Sequence, residues 1–232
     1  MTSFPVDLHV HSIGSCHAYS TIREIADAAA RAGLQAVAIT DHGPGTPDGP
    51  HPYYFSNLRR LRLMKHGCCV FSGVEEDLAG PEGEVYLPER ILETLDVVLI
   101  GVHPHAWAKG QTPEAITRSL LRAMENPLIR GVAHPVNEWI PLGVREIVRQ
   151  AAATGTAVEL NASKIKGLEG QNQDFLEWVE EYDAPLMVNS DAHIADELGQ
   201  WQAVETLLKG VTAARIINRS LAAAREFFKI RA

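Results

Sequence analysis

The stretch Val6-Asp7-Leu8-His9-Val10-His11, followed by a polar loop and then by Thr21-Ile22-Arg23-Glu24-Ile25-Ala26-Asp27-Ala28-Ala29 and, a turn later, Gly33, decides the fold. Its first part is a short apolar run interrupted at every second position, the pattern of a strand. Its second part sets Ile22, Ile25, Ala26 and Ala29 on one helical stripe. Thr21 with Glu24 three residues on forms a capping box, and Gly33 supplies the stop. A strand that ends in two histidines and feeds a helix is one βα unit.

Outward from this unit the pattern recurs. Residues 36–40 read as a second strand, followed by a Gly/Pro-rich loop over 41–52 and a helix carrying Leu58, Leu61 and Leu63. Residues 69–75 read as a third, with a small hairpin expected around 81–84. Strands over 97–102, 131–134, 157–161 and 186–189 bring the number to seven. Helices are expected over 113–125, with Thr112 as N-cap and Pro113 in first position, and over 143–153, 172–181 and 198–208. The alternation predicts an α/β fold with a parallel sheet under helices, either closed as a barrel or open and doubly wound. In both geometries functional groups collect at the carboxyl ends of the strands.

At 232 residues with 46% hydrophobic content, one domain spanning 1–232 is long enough to bury its own core. The 21 Lys and Arg stand against 29 Asp and Glu, a formal charge of −8, and the basic residues form no long run. That balance disfavours a broad nucleic-acid or anionic-membrane surface, while a local cationic site can still draw anions. The N-terminus has no signal-like segment and no apolar run approaches a membrane span, so a cytoplasmic location is expected. Cys16, Cys68 and Cys69 cannot all pair, which fits a reducing compartment.

Against these strands the ten histidines fall in a pattern. His9 and His11 end strand one, and an i, i+2 pair projects to one side. His42 follows strand two, Glu75 ends strand three, His103 strand four and His134 strand five, and Asp191 with His193 ends strand seven. His17 lies in the loop after strand one. A lone His-x-His is weak evidence, but a purely structural role gives no reason for histidine to sit at five strand ends and to be nearly absent from helices. Imidazole with carboxylate suits zinc, with manganese or iron as alternatives, whereas a site for magnesium alone would be built from oxygens. Nine ligands exceed what one ion takes, so two or three ions are implied, with a carboxylate such as Glu75 bridging. Asp7 is expected to orient an imidazole through its second nitrogen, and Asp41 is a candidate for the same role. His51 and His105, in the loops after strands two and four, are candidates for substrate contact. His66, at a helix end, is assigned no role.

The stretches Asp7-Leu8-His9-Val10-His11, His17-Ala18-Tyr19-Ser20-Thr21, Ile39-Thr40-Asp41-His42-Gly43, Gly73-Val74-Glu75, Gly101-Val102-His103, Ala133-His134-Pro135 and Ser190-Asp191-Ala192-His193 together resemble the PHP family (polymerase and histidinol phosphatase), in particular its single-domain YcdX-like phosphatases. The resemblance spans nearly the whole chain. It implies a distorted (β/α)7 barrel with a trinuclear metal site at the C-terminal ends of the strands. Position by position it implies His9, His11, Glu75 and Asp191 on one ion, Glu75, His103 and His134 on a second, and His17, His42 and His193 on a third. Pro104-His105 and Cys16 depart from the family pattern, and they bear on substrate rather than on metal.

The expected activity is phosphomonoester hydrolysis on a small phosphorylated substrate by a metal-activated hydroxide, whose pKa a bound divalent ion brings toward ~7. Asp191 or His193 would relay a proton to the leaving group. Lys109, Lys164 and Lys166 are candidates to reach phosphate. Three rivals stand beside this reading. One is a 3′-5′ exonuclease or other phosphodiesterase of the same family, with nucleic acid as the less favoured partner. Another is an amidohydrolase-type barrel, which commonly bridges two ions through a modified lysine that strands three to five lack here. The third is a non-catalytic metal-bearing module. Homo-oligomers are compatible with all of these.

Overall fold

The computed structural model describes residues 4–47, 49–64, 67–209 and 211–230, so the expectation for His66 lies outside the described residues. Seven strands, β1 (Val6–Val10), β2 (Ala36–Ile39), β3 (Cys69–Asp77), β4 (Val97–Gly101), β5 (Gly131–Val132), β6 (Ala157–Asn161) and β7 (Leu186–Asn189), lie in chain order. Each is parallel to the next. Of the two arrangements open to the sequence, a nearly closed barrel forms.

The first and last strands meet at a seam. At its upper end His11 N–H donates to the Ala192 carbonyl (2.9 Å) and Asp191 N–H to the His9 carbonyl (3.0 Å). Below, side chains replace the ladder. The Asn218 amide donates to the carbonyls of Val6 (2.8 Å) and Val188 (2.6 Å) and accepts from Val188 N–H (3.1 Å). Leu8 N–H donates to Asn189 Oδ1 (2.9 Å) and Ser190 N–H to Asp7 Oδ1 (3.2 Å). Buried backbone groups need such partners, so the seam is closed although the strands have parted.

Side-chain alternation sorts two apolar layers. Val6, Leu8, Ala36, Ala38, Phe71, Val97, Leu99, Ala157 and Met187 fill the barrel, joined by Ala224 and Phe228 of a terminal helix that closes its base. Their neighbours Val37, Ile39, Val70, Val74, Val98, Ile100, Val158, Leu160 and Val188 pack outward among the helices. β1 departs from this rule, because Leu8 belongs to the inner layer and Val10 to the outer one. Asp7 pairs with Val37 and Val10 with Ile39, so β1 carries one residue more than its partner there. This bulge changes the phase of the strand and lets His9 and His11 follow Leu8 inward.

The helices are α1 (Ile22–Arg31), α2 (Pro52–Asn57), α3 (Glu89–Leu92), α4 (Pro113–Ala123), α5 (Val144–Thr154), α6 (Glu169–Tyr182), α7 (Gln202–Leu207) and α8 (Leu221–Phe228). The expected Thr21–Glu24 capping box is present on α1, and Thr112 caps α4. The segment with Leu58, Leu61 and Leu63 is not one helix but α2 followed by a 3-10 stretch, Leu58–Leu63. At the junction the Leu58 N–H donates to the Phe55 carbonyl, three residues back, where a continued α-turn would use the carbonyl four residues back. The helix expected over 198–208 begins only at Gln202. Glu197 is drawn back onto the N–H groups of His193 (2.7 Å) and Ile194 (3.2 Å), and Gly199 is left-handed (φ 80°). The expected hairpin is a single antiparallel bridge, Leu78 to Val85. Among the described residues no helix is long and apolar enough to cross a membrane.

Candidate metal centre

The carboxyl ends of the strands bring His9, His11, His17, His42, Glu75, His103, His134, Asp191 and His193 to one rim. Nε2 of His9 and Nε2 of His11 are 3.0 Å apart. Both face Glu75 Oε2 (3.3 and 3.4 Å) and Asp191 Oδ1 (3.5 and 3.2 Å). The edges of a tetrahedron of ~2.0–2.1 Å metal–ligand bonds are ~3.3 Å long, so each of these contacts has the spacing of two ligands on one cation. The other Glu75 oxygen, Oε1, meets Nε2 of His134 (2.8 Å) and of His103 (3.7 Å), while Oε2 also meets Nδ1 of His42 (3.0 Å). Nε2 of His17 and Nε2 of His193 are 2.8 Å apart, and the His42 ring centroid is 5.1 Å from that of His17. Four overlapping groups can hold an ion: His9, His11 and Asp191; His9, Glu75 and His134; His42, Glu75 and His103; His11, His42 and His193.

Both Glu75 oxygens and His42 Nδ1 are buried without a hydrogen-bond partner. Such groups are costly unless something else satisfies them. Nitrogens packed around an unbonded carboxylate are what a divalent cation would satisfy, so the residues fit metal ions of the nitrogen- and oxygen-binding kind. Burial alone would push the Glu75 carboxyl up, but the imidazoles of His9, His103, His134 and His42 hold it well below its usual range. Asp191 is likewise held well below, against burial, by His9, His11 and His134. Burial works against a charged His9, yet Glu159, Glu75 and Asp191 raise its pKa well above the ordinary value.

The far nitrogens are held as well. His9 Nδ1 lies 2.9 Å from Glu159 Oε1, His103 Nδ1 2.9 Å from Asp77 Oδ2, His11 Nδ1 3.1 Å from Ser15 Oγ and His193 Nδ1 2.9 Å from the Asp191 carbonyl. An Nδ1 facing an acceptor keeps its proton, which leaves the Nε2 lone pair aimed at the centre. Two backbone positions contribute: His134 (φ 51°) and Asp191 (φ 57°) are left-handed, the kind of strain found at functional sites. Gly101 contributes by absence, since a Cβ there would lie 2.5 Å from Glu75 Oε1.

The remaining candidates separate. Asp7 does not hold an imidazole. It accepts from the backbone N–H of His9 (3.3 Å) and of Ser190 (3.2 Å), burial pushes its carboxyl up to about 7, and the imidazole contact expected of it is made by Glu159. Asp41 gathers Ser12 Oγ (2.7 Å), Ser15 Oγ (2.9 Å) and the Tyr54 hydroxyl (2.6 Å), and so reaches His11 only through Ser15. His51 stays outside the cavity, where it caps α2 by accepting from Tyr53 N–H (3.1 Å). His105 and Lys164 line the cavity of about 660 Å³ above the cluster, and Lys109 and Lys166 do not. Glu159, Asp77 and Ser15 escaped the sequence reading. Asp77 stands two residues beyond Glu75 and so faces the same way, and Glu159 is a carboxylate inside an apolar strand, both of which were usable signals. Ser15 carried none.

The sequence pattern of the PHP domain matches residues 7–223. A probable phosphatase of Syntrophotalea carbinolica is 42% identical over 228 residues, covering 96% of this chain and 95% of its own. One from Caldanaerobacter subterraneus subsp. tengcongensis is 34% identical, covering 97% and 91%. Among solved structures, the histidinol phosphate phosphatase of Lactococcus lactis subsp. lactis Il1403, complexed with zinc, L-histidinol and phosphate, superposes with a TM-score of 0.60 at 19% identity, covering 89% of this chain and 93% of that one.

Proposed function

The chain belongs to the PHP domain family, and from that premise we propose that it is a phosphomonoesterase that works with three divalent ions, zinc foremost and manganese or iron as alternatives. The observation that carries the reading is Glu75, whose two buried oxygens face imidazoles of different strands with no hydrogen bond to either oxygen. His9, His11, Glu75 and Asp191 would hold one ion, Glu75, His103 and His134 a second, and His17, His42 and His193 a third. When bound, such ions supply an activated water near neutral pH and grip the phosphoryl oxygens.

The chain's own groups do the rest. Lys164, the one lysine or arginine lining the cavity among the described residues, sets its ammonium 3.9 Å from Asp191 Oδ2 and offers positive charge to a substrate anion. Asp191 and His193 stand on the cavity wall, where one or the other would relay a proton from water to the leaving alkoxide. None of β3, β4 and β5 ends in lysine, which speaks against the amidohydrolase bridge. The three unpaired cysteines support a reducing, cytoplasmic setting.

Elemental analysis of protein purified without chelator, paired with turnover of p-nitrophenyl phosphate, tests the proposal. About three ions per chain are expected, in line with three to four protein ligands per ion. His42→Ala should lose both metal and turnover. Metal-loaded protein that releases mononucleotides from a labelled oligonucleotide, or opens cyclic amides, without hydrolysing any phosphomonoester would replace this reading with the exonuclease or the amidohydrolase.

A further inference from the structure

Beyond the histidine cluster, the cavity wall is made by Thr46, Pro47, Pro104, His105, Trp139 and Lys164. Trp139 stands in the loop after β5 with its ring centroid 5.8 Å from that of His103 and 5.7 Å from that of His134, beside two of the imidazoles that face Glu75. It is 38% exposed, yet its backbone is held. Asn137 Oδ1 accepts from the N–H groups of Trp139 and Ile140 (both 2.9 Å), and the Ile140 side chain is buried. The Lys164 ammonium lies over the indole, 4.6 Å from the ring centroid, and its other neighbour is Asp191 at 3.9 Å.

The geometry points to Trp139 as the residue that selects the leaving group, and to phosphomonoesters whose leaving group carries a flat aromatic ring as the preferred substrate class. This rests on the phosphomonoesterase reading above. A phosphoryl group at the histidine cluster has Trp139 as an immediate neighbour, so what it carries meets the indole. An ammonium gains more from a charged phosphoryl oxygen than from a π face. The shift of Lys164 onto the substrate therefore uncovers the indole for a second ring. Pro47 and Pro104 add flat apolar surface. The Thr46 hydroxyl proton is committed to the Gly43 carbonyl (3.1 Å), so Thr46 can only accept from a substrate hydroxyl.

Benzyl phosphate and cyclohexylmethyl phosphate share the same CH2–O–P linkage and differ in the ring. With metal-loaded wild type, kcat/KM is expected to favour benzyl phosphate about 2- to 10-fold, the range an aromatic pair contributes, mainly through KM. Trp139→Phe keeps the preference, and Trp139→Ala loses it at unchanged ion content. Calorimetric binding of benzylphosphonate and cyclohexylmethylphosphonate should show the same order and the same loss in Trp139→Ala, independently of turnover. Hydrolysis of both esters without preference in wild type, or a preference that survives Trp139→Ala, overturns the role of Trp139 and leaves the phosphatase standing. No turnover of either ester and no phosphonate binding removes both.

Discussion

Glu159 is enclosed in β6 and satisfies three donors: Oε1 takes His9 Nδ1 (2.9 Å) and the Asn189 amide (2.7 Å), and Oε2 takes the Asn161 amide (2.9 Å). Its charge acts on His9 twice, keeping the proton on Nδ1 and raising the basicity of the ring. Glu159→Gln preserves the shape and removes the charge. Removal of such a partner typically costs 10–100-fold in metal affinity, so competitive chelator titration of Glu159→Gln should show a loss of about that size. An unchanged affinity would leave Glu159 a purely structural group. The histidines themselves, His17 in its loop apart, were legible residue by residue, because each candidate ligand stands where an apolar run ends. Glu159 was not legible as a partner of His9, since 150 positions separate them and only the barrel makes them neighbours.

At the scale of the element, β3 shows how alternation assigns three consecutive buried carboxylates. Glu75 faces the metal centre, and Asp77 faces the same way and holds His103. Glu76 points the other way and accepts from the N–H groups of Leu87 (2.8 Å) and Tyr86 (3.4 Å), fastening the loop before α3. Burial pushes the Glu76 carboxyl up from 4.5 to about 7, with those backbone donors only partly opposing it. The folded protein thus binds the Glu76 proton more tightly than the unfolded chain does. The resulting stability is fully present below about pH 4.5 and is lost as pH rises through about 7. Glu76→Gln mimics the protonated form, so wild type minus variant Tm, measured on metal-loaded protein, should fall between pH 5 and pH 8. A difference that does not change with pH would mean that Glu76 stays ionised throughout. The alternation was readable from Gly73-Val74-Glu75, but where β3 ends was not, since the sequence stopped it at Glu75 and the pairing carries it to Asp77.

For the molecule as a whole the seam is decisive. Asn218, fully buried and far along the chain, joins β1 to β7, and the polar links continue from it through Asn189 to Glu159 and His9. Barrel closure and ligand orientation therefore share one network. Asn218→Ala strands the Val188 N–H and the Val6 carbonyl, at a cost on the order of 3 kcal/mol, which for a chain of this size lowers Tm by roughly 6–12 °C. An unchanged Tm by calorimetry would show that the seam does not depend on this amide. The sequence by itself determined the seven strands, the parallel sense of their sheet and the nine metal-seeking side chains at the strand ends and in the first loop, because strand and helix periods and residue chemistry are written locally in the chain. The choice of barrel over open sheet, the bulge that turns His9 and His11 inward, the left-handed backbone at His134 and Asp191, and the pairing of His9 with Glu159 were decided only in three dimensions. Each is a settlement between segments remote in the chain, reached when buried polar groups had to find partners inside a closed core.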